Sequence, residues 1–133
     1  MAAVEAISTT YMEASGAEAS YIIFDDIPST YEHLEIRCSC QTIRASYGND
    51  AMMMRLGDTG DSPVDTGSNY SYTTLETDGS TTPFGYAETG INVPRIGRIT
   101  SSVGGMANFG VAVIQILDYA NANKNTTVMG FGG

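Results

Sequence analysis

From His33 to Thr42 the chain alternates. Leu34, Ile36, Cys38, Cys40 and Thr42 share one parity; His33, Glu35, Arg37, Ser39 and Gln41 share the other. A period of two over ten residues is the pattern of a half-buried β-strand, because successive side chains leave opposite faces. It predicts one dry face and one wet face, and a spine for an antiparallel sheet. The flanks are punctuated. Tyr21–Phe24 reads as a strand that ends before Pro28, which has no amide to donate. Gly48-Asn49-Asp50 carries turn chemistry, and Ala51–Leu56 reads as the next strand.

Further along, Gly57–Ser68 is dense in turn formers and reads as a surface loop. Tyr70–Glu76 alternates again, with Tyr70, Tyr72 and Thr74 on one face. Asp78-Gly79-Ser80 is a second turn. Thr81–Pro94, interrupted by Pro83, Gly85, Gly90 and Pro94, reads as a long surface connection. A strand is expected around Gly97–Ser101, followed by a flexible turn at Gly104-Gly105. Phe109–Tyr119 has apolar residues on both parities, as a strand buried on both faces would. A buried helix shares that pattern, and the β-branched Val111, Val113, Ile114 and Ile116 favour the strand. Ala120–Lys124 is a polar loop and Thr126–Phe131 a last strand.

Residues 1–20 lack a clear pattern. They read as a first strand around Ala6–Met12 or as a peripheral arm that a partner orders. Residues 21–133 then form one β domain. Seven or eight evenly spaced strands predict an all-β fold, a single antiparallel β-sandwich or jelly roll with a short N-terminal arm.

Charge narrows the function. Fifteen Asp and Glu against six Lys and Arg give a net charge of -9. A phosphate backbone needs a basic footprint, so nucleic acid is not an expected partner. An anionic membrane surface is excluded on the same ground. No run of about 18 apolar residues suggests a membrane-spanning helix. The N-terminus shows no basic stretch followed by an apolar core, so no secretory signal is read there.

Side chains with chemical potential are few. Cys38 and Cys40 lie two apart on one strand face, a placement poorly suited to a disulfide. They read as reduced core residues; a metal site would need more ligands, and the sole histidine, His33, is expected on the opposite face. Asp58, Asp61 and Asp65 offer the oxygen ligands calcium prefers, without EF-hand spacing, so a solvated turn is the simpler reading. Asp-Thr-Gly occurs at 58–60 and 65–67, with Ile96-Gly97-Arg98 downstream. The tripeptide resembles the retroviral-type aspartic protease signature. In those enzymes, however, the turn directly follows an apolar strand and pairs two aspartates across a dimer; here it lies in a Gly- and Pro-rich loop. His33 beside Glu32 and Glu35 could make a base, but no nucleophile is placed near it. No catalytic residue, cofactor or metal is therefore assigned, and the chain reads as a non-enzyme. Met52, Met53, Met54, Tyr70 and Tyr72 remain as core packing or as subunit contacts, since methionine adapts to irregular surfaces. Tyr70 and Tyr72 could also serve as a sugar platform.

Three stretches carry a family resemblance: Phe24-Asp-Asp-Ile-Pro-Ser-Thr-Tyr-Glu-His-Leu34; the Asp-rich Gly loop ending Asn69-Tyr70-Ser71; and Asp118-Tyr119-Ala120-Asn121 with Lys124-Asn125. In this order they resemble small virion structural proteins of tailed bacteriophages, cyanophages included. The resemblance implies a jelly-roll-like domain on the particle exterior and no catalytic residues. It makes the expected function capsid decoration (cement), stabilising the head by binding the outer capsid surface. The alternative is a receptor- or carbohydrate-binding β-sandwich module of a tail fibre or head fibre. The expected partners are the major capsid protein and the chain itself, as a homotrimer. The expected location is the outer capsid surface of the virion, after synthesis in the host cytoplasm.

Overall fold

The strands pair as a nested series. β1 (His33–Cys40) pairs with β6 (Gly110–Leu117), β2 (Asn49–Met53) with β5 (Arg95–Thr100), and β3 (Tyr70–Glu76) with β4 (Phe84–Ile91), all antiparallel. β7 (Thr127–Gly132) returns beside β6, so the largest sheet runs β1-β6-β7. Within the first six strands, pairing first with last and second with second-last is one long hairpin folded over itself, which is how a jelly roll is connected. The structure, a computed structural model, describes residues 4–12, 20–44, 48–57, 64–77, 82–102 and 108–133. Among them it is an all-β sandwich with no helix.

β1 follows its sequence pattern. Leu34, Ile36, Cys38 and Cys40 are half-buried and the intervening residues exposed. The register puts Leu34 opposite Ile116, Ile36 opposite Ile114 and Cys38 opposite Ala112. That inner face continues onto β7 through Val128 opposite Ile116, Gly130 opposite Ile114 and Gly132 opposite Ala112. The buried apolar residues are Ala112, Ile114 and Ile116 on β6 and Ile99 on β5.

β5 crosses this inner face at very close range. A Cβ on Gly130 would collide with the Ile96 carbonyl oxygen, and one on Gly132 would lie 3.1 Å from that of Arg98. Only glycine admits so near a backbone. Ile96 is the extra residue of a β-bulge, because Met52 faces Gly97 while Met53 faces Arg95. A hinge joins the layers: the Thr42 amide donates to Thr100 O (3.0 Å), Ser102 to Thr42 O (2.9 Å) and Ser101 to Gly48 O (3.2 Å).

Several expectations need correction. Tyr21–Phe24 forms no strand: Tyr21, Ile22 and Ile23 are exposed and no neighbouring chain offers a ladder. Residues 4–12 form no strand either. Asn49 and Asp50 open β2 instead of making a turn, since β5 is there to pair with them. Thr81–Pro94 contains a whole strand, β4. Its glycines suit a bulge: Tyr70 faces Ile91 and Ser71 faces Thr89, leaving Gly90 unpaired at φ 66°. β6 is covered on one face only, with Val111 left 62% exposed. The turns expected at Asp78-Gly79-Ser80 and Gly104-Gly105 lie outside the described residues.

Candidate interaction surface

Two polar assemblies hold the strands in place. At the junction of β3 and β5, the Glu76 side chain is only 7% exposed and receives Arg95 Nη1 at 3.3 Å and Arg98 Nε. Arg98 Nη1 also donates to Asn49 Oδ1 on β2. Burial pushes the Glu76 carboxyl up, but the Arg98 and Arg95 guanidiniums outweigh it and hold the group below its ordinary value. The Arg95 guanidinium lies 5.1 Å from the Tyr86 ring centroid on β4. Four strands thus meet at one ion-paired knot.

The second assembly ties the start of β1 to the β6–β7 turn. The Asp118 amide donates to His33 Nδ1 at 3.0 Å, and the Tyr119 hydroxyl donates to Pro28 O. Lys124 Nζ lies 2.6 Å from Asp118 Oδ2. Lys124, with Asn121, holds the Asp118 carboxyl below the usual carboxylate range. His33 is therefore a clasp, with one ring nitrogen occupied by backbone. Its neighbour Glu35 accepts from Arg37 Nε (2.6 Å) and Gln115 Nε2 (3.2 Å), which lower its carboxyl.

At Asp65 the loop chemistry is turn geometry. Asp65 accepts from the Gly67 amide (2.8 Å) and from Asn69 Nδ2 (2.9 Å), which lower its carboxyl. Its oxygens thus serve a local Asx-type turn. Asp58 and Asp61 lie outside the described residues, as does the Asp-Thr-Gly at 58–60. Among the described residues no three His, Cys, Asp or Glu gather as metal ligands. Cys38 and Cys40 are free thiols on the inner face of β1. Burial, with Cys38 adding to it, pushes the Cys40 thiol up to about 11, so it stays protonated and inert near neutrality.

The five candidate contact residues differ in exposure and in what they hold. The Tyr70 hydroxyl accepts from the Leu56 amide (3.1 Å) and lies 3.1 Å from the carbonyls of both Leu56 and Asp65. It closes its own loop. Tyr72 is half-buried on the same face of β3. Met52 and Met54 are half-buried, whereas Met53 is 56% exposed. β2 and β3 belong to separate ladders.

The conspicuous surface lies elsewhere. On the outer face of the main sheet, Val113 faces Phe131 and Gln115 faces Met129. Phe131, Val111, Met129 and the preceding Phe109 are all exposed. The β1 side of the same face is polar, with His33, Glu35, Arg37 and Ser39. An apolar centre with a polar rim is the anatomy of a protein interface. Val4, Tyr11, Ile22 and Ile23 are exposed as well.

Comparison with known families, with curated proteins and with solved structures finds no match.

Proposed function

We propose that this chain is a bacteriophage virion structural protein, a capsid decoration protein that binds the outer capsid surface as a homotrimer and acts by binding, not catalysis. The observation that carries the reading is the uncovered apolar face of β6 and β7. Such a face gains stability where a neighbour covers it, and an assembled particle presents neighbours at high local concentration. The polar assemblies support this reading, because each carboxylate in them is engaged in holding strands or turns. The resemblance to small phage virion proteins supplies the particle, and the acidic charge keeps unassembled copies apart.

The receptor- or carbohydrate-binding alternative leaned on Tyr70 and Tyr72, and the Tyr70 hydroxyl is spent on its own loop. The test is binding of the purified chain to undecorated heads of the phage that encodes it, followed by an averaged density map. The expected outcome is saturable binding with threefold density on the head exterior. Absence from heads together with glycan-array binding would replace decoration with the module reading.

A further inference from the structure

We infer that the apolar outer face of β6 and β7 receives the N-terminal arm of a second copy of this chain. The first ground is the pattern of β6. Its sequence is apolar on both parities, as in a strand covered on both faces, yet the chain itself covers one. Ala112, Ile114 and Ile116 are buried, while Val111 on the other parity is open, beside Phe131 and Met129. The missing cover must come from outside.

The second ground is that the arm has the converse shortage. Val4, Ile7, Tyr11 and Met12 are exposed and have no core to enter. Within one chain the arm is tied away from that face: the Tyr31 hydroxyl donates to Glu5 Oε2 at 2.8 Å, just ahead of β1. β1 is the edge opposite β7 in the order β1-β6-β7. A hollow of about 280 Å³ bounded by Val111, Val113, Phe131 and Gly132 has room for one large arm side chain.

Charge favours a copy as the occupant. Two chains of net charge -9 approach best where no free carboxylate stands. The patch has none, and Glu35 at its rim is neutralised by Arg37. Arm-on-face is a head-to-tail contact, which closes into a ring where the rotation between copies allows it, and a three-membered ring is the trimer proposed above. The inference rests on that self-association, and its test needs no capsid, so the two readings fail separately.

The test uses light scattering on the full chain, on a chain lacking residues 1–12, and on Val111→Asp/Phe131→Asp. The full chain is expected at three times the 14.1 kDa monomer mass, and each variant as a folded monomer by circular dichroism. An equimolar mixture of the two variants is expected to give a one-to-one heterodimer, since one copy supplies the face and the other the arm. A monomeric full chain, a variant that keeps the trimer mass, or a mixture that stays monomeric would overturn the inference. If the aspartate variant loses its β spectrum, Val111→Thr/Phe131→Thr takes its place with the same expectations.

Discussion

Glu76 shows how much one residue can settle in this fold. It pairs with two half-buried arginines and, through them, fixes β3 against β5 and β2. A buried pair of this kind adds little over a good apolar contact, but breaking it strands charge. Glu76→Gln removes the negative charge and leaves Arg95 and Arg98 facing each other. We expect a loss of about 2–3 kcal/mol at neutral pH, below the fully buried case because the two arginine side chains stay 21% and 29% exposed. The pH dependence follows from the lowered folded value. The ion pair's stabilisation is present above the ordinary glutamate value of 4.5 and is lost as pH falls through the lower folded one. Urea unfolding at pH 7 and at pH 3 should therefore show a wild-type advantage that shrinks in acid. An equal advantage at both would mean the carboxylate charge is not what matters. None of this was legible in the sequence, because the partners stand 19 and 22 residues downstream of Glu76, beyond any local pattern.

At the scale of elements, legibility follows how each strand is supported. β1 and β3 each have one covered face, and their alternation announced them with near-correct bounds. β4 is exposed along most of its length, and its two glycines read as loop. Pairing with β3 makes it a strand, and pairing is not a local property. Tyr21–Phe24 shows the converse: apolar and aromatic residues with no partner strand. The apolar double parity of β6 predicted burial on both faces, and within the chain only the face of Ala112, Ile114 and Ile116 is buried. The glycines of β7 are legible only in three dimensions, where Gly130 lets β5 cross. Gly130→Ala places a methyl against a backbone oxygen that sits in a paired strand and cannot swing aside. We expect about 1–3 kcal/mol of destabilisation by overpacking. Gly48→Ala, with nothing within 4 Å of its added carbon, should be near neutral. If thermal melts gave the two variants equal midpoints, the close crossing of β5 over β7 would be wrong.

For the whole molecule the decisive quantity is how little the single chain buries. Six of the seven strands are sheet edges, and two-stranded ribbons are marginal without something packed on them. Among the described residues the buried apolar set is four. Stability in such a chain is expected to come from assembly, and mass action then makes it depend on concentration. For a trimer, a rise of about a hundredfold in concentration adds about 2 kcal/mol per chain. With an unfolding entropy typical of this length, that is about 6 °C in midpoint. Calorimetry across that range should show the shift in the full chain. The chain lacking residues 1–12 should melt at one lower temperature throughout, because it has no arm to donate. A full-length midpoint that does not move with concentration would mean that the lone chain is already a finished fold. The exposed face of β6 and β7 would then be ordinary surface.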